Sequence, residues 1–258
     1  MRAGDNFAII TLDALRYDVA MTARTPNLAQ LAAVHGYNAK TWQAVWAQGT
    51  FTLPAHVAMF QGGFFPACAD NSLPPPYSRQ QEVLFRYSFS TARKVHVLLP
   101  ETATSVCDGF KKLGYTTYGV GGVGWFDTRR ASASIWPHFF DVFTWQEAFQ
   151  EQRPDAFEAQ IALCRTLQLA KKTPVLFFLN VPSTHWPYRG LGRTFDAQVQ
   201  CLEYVDKHFE VLLAQLPRPL CLLICGDHGD CFGEDGLFGH GFYHPKVLEV
   251  PMLYCELR

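Results

Sequence analysis

The chain has 258 residues and a formal net charge of −1, and 48% of its residues are hydrophobic against 17% charged. This balance supplies enough apolar surface for a sizeable core and excludes a highly charged, disordered chain. The near-zero charge removes the electrostatic basis for binding nucleic acid or an anionic membrane, so we expect neither as a partner. We expect one domain over residues 1–258.

The residues from Met1 to Asn6 lead straight into the first predicted strand, so we expect no signal peptide. No apolar stretch approaches the roughly 20 residues needed to span a bilayer. The 8 cysteines contain no C-x-x-C pair, and Cys221 and Cys225 share one face of a predicted strand. We therefore expect a cytoplasmic, reducing location. Oligomeric state leaves no readable pattern in the sequence.

The first predicted elements are a strand and two helices. An apolar strand over residues 7–12 is followed directly by Asp13. A helix is predicted to begin with Thr25 as its N-cap and Pro26 at its first position. Residues 52–60 are typical of a turn that opens into a second helix.

The rest of the chain alternates between helices and strands, after a Pro-rich surface loop predicted around residues 66–80. The patterns predict helix 101–112, strand 115–120, helix 155–171, strand 175–179, helix 195–216, strand 220–225 and a last strand from near Val250. Strands alternating with helices imply βαβ units. The predicted fold class is α/β, a three-layer α/β/α sandwich with a mostly parallel central sheet.

Candidate metal ligands follow two of the predicted strands. Asp227 and His228 come directly after the strand at 220–225, and Asp13 follows the first strand. Ligands of open α/β sheets bind beyond the carboxyl ends of the strands. Oxygen ligands with one imidazole suit Mg²⁺, Mn²⁺, Ca²⁺ or Zn²⁺ without choosing among them. The alternative is that Asp227 caps a turn and His228 is a hydrogen-bonded residue outside any metal site.

A hydroxyl at a helix start is a second candidate for chemistry. Thr52 lies in the segment GTFTLPAH, where a threonine followed by proline is also typical of an ordinary N-cap. Anions collect at helix N-termini, and a hydroxyl bound to a divalent cation loses its proton more easily. Thr52 would then be a nucleophile at neutral pH.

Several segments in this order resemble the alkaline phosphatase/sulfatase superfamily. They are IITLDALRYD, TPNLAQLA, TFTLPAHVAMFQG, GYTTYGV, FFLNVPSTHWPY, CLLICGDHGDCFGEDGLFGHGF and VPML. The resemblance implies that Asp13, Asp227 and His228 hold a metal and that Thr52 is the metal-bound nucleophile. It also implies that His185 contacts substrate oxygens. His240 resembles either the histidine of a second metal site or the substrate-binding lysine of sulfatases.

The chain also departs from the family pattern at three places. Sulfatases have adjacent acidic residues where this chain has Asp13 and Ala14, and their formylglycine comes from Cys or Ser, not from threonine. Two-metal members have an aspartate where this chain has Val181. We therefore expect one divalent metal ion and an incomplete second site.

The expected function is hydrolysis or transfer of phosphate or phosphonate esters through a phosphothreonine intermediate. The expected substrate is a small-molecule or peptide-linked phospho or sulfo ester. The alternatives are a sulfate-ester hydrolase and a catalytically silent metal-binding relative. Other polar and aromatic residues remain open between pocket and structural roles: Arg16 (an anion clamp or, as favoured, an exposed helix start), Asp206, Trp125, Phe126, His35, His56, His138, His208 and His244.

Overall fold

Strands and helices alternate along most of the chain in a computed structural model that describes residues 4–37, 41–62, 104–171 and 174–258. The predicted loop at 66–80, the start of the helix predicted at 101–112 and Cys68 lie outside these residues. The strands are β1 Asn6–Leu12, β2 Gln43–Trp46, β3 Thr116–Val120, β4 Val142–Thr144, β5 Val175–Val181, β6 Leu220–Gly226, β7 Cys231–Phe232, β8 Phe238–Gly239 and β9 Glu249–Leu257. The helices are α1 Tyr17–Thr22, α2 Pro26–His35, α3 Thr52–Gln61, α4 Val106–Lys112, α5 Trp136–Phe139, α6 Ala156–Leu167, α7 Phe195–Leu213 and α8 Pro245–Leu248.

The central sheet has 7 strands in the order β2-β9-β6-β1-β5-β3-β4. β1 lies between β5 and β6 and is parallel to both, so that Ile10 aligns with Leu179 on one side and with Ile224 on the other. β9 runs antiparallel to β6 and to β2. The predicted α/β class with a mostly parallel sheet is confirmed.

Alternate residues of the central strands enter two different hydrophobic cores. Ala8, Ile10 and Leu12 of β1 belong to a core that includes buried residues of α1, α2, α6 and α7. Phe7 and Ile9 pack against the other core, which contains residues of α3, α4 and α5. Because side chains alternate across a strand, these two cores lie on opposite faces of the sheet. Helices therefore cover both faces, which gives the predicted three layers.

The start of α2 is held by a carboxylate from another helix. Thr25 occupies the predicted N-cap position, but its side chain makes no capping hydrogen bond. Instead, Asp206 of α7 accepts hydrogen bonds from the backbone N–H groups of Asn27 and Leu28, at 3.2 and 2.8 Å. Of the two roles left open for Asp206, these contacts show the structural one, at a junction between two helices.

No helix within the described residues is long and apolar enough to cross a membrane. Among those residues, seven cysteines are free and buried, including Cys221 and Cys225.

Candidate metal site

Two buried carboxylates meet beyond the carboxyl ends of neighbouring strands. Asp13 directly follows β1 and is 0% exposed, and Asp227 directly follows β6 and is 2% exposed. Their outer oxygens, Asp13 Oδ1 and Asp227 Oδ2, are both buried without a hydrogen-bond partner. A buried charged oxygen without a partner is costly unless a cation neutralises it.

His228 completes this pair as a third potential ligand. Its Nε2 lies 3.6 Å from Asp13 Oδ1 and 3.6 Å from Asp227 Oδ2, the two unpartnered oxygens. Its Nδ1 lies 2.9 Å from the Gly229 carbonyl, which can only accept a hydrogen bond. Neutral His228 therefore carries its proton on Nδ1 and directs the Nε2 lone pair at the carboxylates, the tautomer that binds a metal ion.

The distances in this group fit one shared ion. Asp13, Asp227 and His228 offer ligand atoms within 4.8 Å of one another, and within the described residues they are the one such group of three. Two ligands each about 2.1 Å from the same ion lie at most about 4.2 Å apart. The two distances from His228 fall inside that limit.

Burial changes the protonation of all three groups. It raises the pKa of Asp13 to about 6, with repulsion from Asp227 adding to the effect. It also raises the pKa of Asp227 to about 7, against the hydrogen bonds that Asp227 accepts. Burial, with the neighbouring His240, lowers the pKa of His228 to about 3. A divalent cation in this group would favour the ionised carboxylates and the neutral imidazole.

Thr52 lies against the same group. It is the first residue of α3, and its hydroxyl lies 3.5 Å from Asp13 Oδ2 and 3.3 Å from His228 Nε2. The N-cap residue of this helix is Phe51, so Thr52 is not the N-cap that the alternative interpretation required. The structure thus brings together all four residues that the sequence suggests as a metal and nucleophile site.

The predicted substrate histidines line the mouth of this site. His185 Nε2 lies 4.0 Å from Asp13 Oδ1, and the His240 ring centroid lies 5.3 Å from that of His185 and 4.4 Å from that of His228. Burial opposes protonation of His185, but Asp13 and neighbouring acidic groups outweigh it and raise its pKa. Positive charge on His185 is therefore coupled to the carboxylates of the site.

Asp230 orients His240. Its Oδ1 accepts a hydrogen bond from His240 Nδ1 at 2.8 Å, and its Oδ2 accepts one from the Tyr188 hydroxyl. Asp230 is 0% exposed and Tyr188 is also 0% exposed. These contacts fix the ring and leave Nε2 of His240 as the nitrogen available to other partners.

A cleft of about 450 Å³ opens beside His185 and His240. Its other lining residues combine aromatic rings, two arginines and polar side chains: Phe51, Val123, Gly124, Trp125, Arg130, Ser132, Gln150, Glu151, Gln152, Arg193, Phe238 and Gly239. Trp125 is thus part of the wall, as one of the open alternatives proposed. Phe126, in contrast, is 0% exposed and belongs to the core.

Two further expectations need correction or completion. Arg16 is 2% exposed, so the interpretation as an exposed helix start is wrong. It pairs with Asp18 and Glu234 at 2.6 and 2.5 Å and lies over the Phe232 ring, so it is committed to structural contacts. His244 does not line the cleft but accepts a hydrogen bond from the Lys246 N–H at the start of α8.

Two residues that contact the site were missed or left unassigned by the sequence. Asn180, near the end of β5, donates to Asp13 Oδ2 at 2.9 Å. His56, one turn after Thr52, is 0% exposed and has its Nδ1 3.6 Å from Asp227 Oδ2. Burial lowers the pKa of His56 to about 3, so its ring is neutral. The sequence feature that could have identified one of them is the amide of Asn180, a polar side chain inside the apolar run VLFFLNV.

The molecule is therefore an α/β protein with a buried group of potential metal ligands at the carboxyl edge of a mostly parallel sheet. No family model matches the chain, and no curated protein matches its sequence. Solved structures do match. A protein in the alkaline phosphatase superfamily from Vibrio parahaemolyticus is 17% identical with a TM-score of 0.62, over 100% of this chain and 61% of that one.

Two other solved structures show the same likeness. The C-terminal periplasmic domain of EcEptC from Escherichia coli, in complex with Zn, is 13% identical with a TM-score of 0.62, over 100% of this chain and 74% of that one. The lipoteichoic acid synthase LtaP from Listeria monocytogenes is 13% identical with a TM-score of 0.63, over 98% of this chain and 66% of that one. The chain shares the fold of these solved structures, which is the fold that the resemblance implied. It spans about three fifths of the length of the Vibrio protein.

Proposed function

We propose that this chain is a metal-dependent hydrolase or transferase of phosphate or phosphonate esters, with Thr52 as its nucleophile. One observation carries the proposal. The Thr52 hydroxyl lies within 3.5 Å of Asp13 Oδ2 and 3.3 Å of His228 Nε2, beside two buried carboxylate oxygens that lack partners. An inert helix start would not require buried acidic groups around its hydroxyl.

Asp13, Asp227 and His228 would hold one divalent cation, with Thr52 as a further ligand. When bound, the ion would lower the pKa of the Thr52 hydroxyl and offset negative charge on the non-bridging oxygens of the substrate. The oxygen-rich set with one imidazole accepts Zn²⁺, Mn²⁺, Mg²⁺ or Ca²⁺. The zinc complex of EcEptC, which has the same fold, supports zinc as the first ion to test.

The chemistry of the chain's own residues would proceed in two displacements. Thr52 Oγ1 loses its proton and forms a bond to phosphorus, while the bond from phosphorus to the leaving alcohol breaks. Water or an acceptor alcohol then attacks the phosphothreonine and restores the Thr52 hydroxyl. An N-terminal position on α3 places this group at the positive end of the helix dipole, where the phosphoryl charge is stabilised.

His185 and His240 would contact the oxygens of the substrate. Both line the cleft, and each has its Nδ1 engaged, by the Trp186 carbonyl at 2.6 Å and by Asp230 at 2.8 Å. Their Nε2 atoms are therefore the nitrogens left for the substrate. The aromatic part of the cleft, with Phe51 and Trp125, favours an ester whose leaving group has an apolar surface.

The test compares two threonines of the same turn. Thr52→Val removes only the hydroxyl of the proposed nucleophile, and Thr50→Val makes the same change at a neighbour that is 1% exposed and outside the metal group. Each protein is stripped of metal, reloaded with one ion at a time and assayed on aryl phosphate, phosphodiester, phosphonate and sulfate esters. Intact-protein and peptide mass spectrometry of quenched reactions search for a phosphoryl group on Thr52.

We expect turnover of a phosphorus ester by the wild-type and Thr50→Val proteins, none by Thr52→Val, and the same metal content in all three. Full activity of Thr52→Val would refute the nucleophile. A dominant rate on the sulfate ester would assign the chain to sulfate-ester hydrolysis. Stoichiometric metal without turnover of any ester would indicate a catalytically silent protein.

A further inference from the structure

A chain of buried hydrogen bonds runs from the metal-ligand group to the start of the nucleophile's helix. Asn180 Nδ2 donates to Asp13 Oδ2 at 2.9 Å and also to Thr11 Oγ1 at 3.1 Å. Thr11 Oγ1 lies 2.9 Å from His56 Nε2, and His56 Nδ1 lies 2.7 Å from the carbonyl oxygen of Thr52. Thr11, Asn180 and His56 are all 0% exposed.

The donors and acceptors of this chain allow one arrangement for neutral His56. The Thr52 carbonyl can only accept, so His56 Nδ1 carries the proton and Nε2 accepts from the Thr11 hydroxyl. Thr11 Oγ1 in turn accepts from the Asn180 amide. Each of the two protons on Asn180 Nδ2 then has one acceptor, Thr11 or Asp13.

The orientation of the Asn180 amide is fixed from its other side. Its Oδ1 accepts a hydrogen bond from the Val123 N–H at 3.3 Å. A flipped amide would face that N–H with its NH₂ group and face the Asp13 carboxylate with its oxygen, so both contacts would become repulsive. Gly122 adds a steric limit, because a Cβ there would lie 2.5 Å from both the backbone oxygen and Oδ1 of Asn180.

Within the described part of the protein, the polar contacts of the His56 ring are those of this hydrogen-bond chain and the 3.6 Å approach to Asp227 Oδ2. Its ring meets the rings of Phe126, Trp136 and Phe178 edge to face, with centroids 5.1, 6.3 and 5.4 Å away. An aromatic cage of this kind would accept an apolar side chain. A histidine with both nitrogens hydrogen-bonded at this position therefore connects the two ends of the hydrogen-bond chain, which are the Asp13 carboxylate and the Thr52 carbonyl.

We propose that Thr11, Asn180 and His56 are positioning residues that hold the Asp13 carboxylate in register with the helix turn bearing Thr52. This inference rests on the proposed function, since it concerns the same metal site. Residues that orient metal ligands from outside the ligand shell affect metal affinity or activity by about 10–100-fold. Removing the Thr11 hydroxyl interrupts the hydrogen-bond chain and is expected to weaken metal binding by that factor without removing any metal ligand.

The experiment uses an isosteric substitution and a matched control. Thr11→Val removes the central hydroxyl, whereas Thr11→Ser keeps it. Thr117→Val makes the same change on β3, where the Thr117 hydroxyl is buried and bonded to Asp141 at 3.0 Å, away from the site. Affinity for Zn²⁺ and for Mn²⁺ is measured by calorimetry on each metal-stripped protein, with thermal unfolding of the same samples.

We expect Thr11→Val to bind both ions about 10–100-fold more weakly, with near wild-type affinity for Thr11→Ser and Thr117→Val. The same loss is expected for His56→Leu. In the double variant Thr11→Val/His56→Leu, both partners of one hydrogen bond become apolar, so part of the lost stability should return. Its metal affinity should stay low and show non-additive coupling between the two sites.

Wild-type affinity in folded Thr11→Val and His56→Leu would overturn the inference while leaving the metal-dependent function intact. So would a double variant whose affinity recovers together with its stability, because that result describes a purely structural contact. Should Thr11→Val fail to fold, the double variant and His56→Leu give the same readout. A wild-type protein that binds neither ion would overturn the proposed function and this inference together.

Discussion

Replacing Asp227 by asparagine should stabilise the metal-free protein at neutral and alkaline pH. Asp227 Oδ1 accepts backbone hydrogen bonds from Ala14 and His228, both at 3.0 Å, and an asparagine oxygen can accept both. Its Oδ2 has no partner. Asp227→Asn therefore removes a buried charge that faces Asp13 and keeps the backbone contacts.

The size of the effect follows from the raised pKa of Asp227. Burial raises this pKa from 3.8 to about 7 in the folded protein. Because the folded protein holds the Asp227 proton more tightly than the unfolded chain does, protonation of Asp227 favours the folded state. This contribution to the free energy of unfolding is complete below about pH 4 and is lost as the pH rises through about 7. At roughly 1.4 kcal/mol per pKa unit, the loss reaches about 4 kcal/mol above pH 8. Asparagine does not ionise and avoids this loss.

Thermal unfolding in a chelating buffer at pH 4 and pH 8 measures the difference. About 4 kcal/mol corresponds to roughly 8–16 °C in Tm for a chain of this size. We expect Asp227→Asn to match the wild type at pH 4 and to exceed it by an interval of that order at pH 8. In the same buffer without chelator, Zn²⁺ should narrow the difference in Tm, since a ligand at 100 times its Kd stabilises the wild type by about 2.7 kcal/mol.

Asp230→Asn is the matched control because Asp230 is also buried in the same loop. Burial opposes its ionisation, but the hydrogen bonds from His240 and Tyr188 prevail and lower its pKa. Its contribution is therefore present above the unfolded pKa and lost as the pH falls, so Asp230→Asn should destabilise the protein at pH 8. An Asp227→Asn protein that is less stable than the wild type by the same amount at both pH values would refute the reasoning.

Two glycine substitutions test backbone packing, one beside the site and one as a control, and a tyrosine substitution tests the hydrogen bond to Asp230. Gly122→Ala puts a Cβ 2.5 Å from the oxygens of Asn180 and should cost about 1–3 kcal/mol in urea unfolding. Gly109→Ala, in α4 with nothing within 4 Å of the new Cβ, should instead stabilise by about 0.5–1 kcal/mol. Tyr188→Phe removes the hydroxyl that donates to Asp230 and should lower kcat about 10-fold or more without changing zinc affinity. Equal stability of the two glycine variants, or unchanged kcat for Tyr188→Phe, would contradict these assignments.

The central strands were predictable because they are buried on both faces. β1, β5 and β6 contain continuous apolar runs, and the structure extends the predicted strand 175–179 only to Val181. β2 and β4 were missed. Both are short and half-exposed, with 4 and 3 residues, so their composition does not separate them from loops. The helix predicted over 155–171 ends at Leu167 and continues as a 3₁₀ turn, a boundary that periodicity does not define.

The hydrogen bonds that support the site depend on residues far apart in the chain. The cap of α2 comes from Asp206, 178 residues after Leu28, and the partner of Asp13 is Asn180, 167 residues away. No local pattern around Thr25 or Asp13 encodes these partners. Arg16 shows the opposite error, because its charge suggested exposure while Glu234, 218 residues away, pairs with the buried guanidinium.

The amino-acid sequence by itself determined which chemical groups stand at strand ends and helix starts, because periodicity and turn residues place them on local elements. That was sufficient to predict the sandwich and the metal and nucleophile candidates Asp13, Thr52, Asp227 and His228. Only the tertiary structure decided the distances among them, the unpartnered oxygens that face a shared point and the histidine tautomer. Those properties arise when β1 pairs between β5 and β6, and side chains from distant segments then exclude water together.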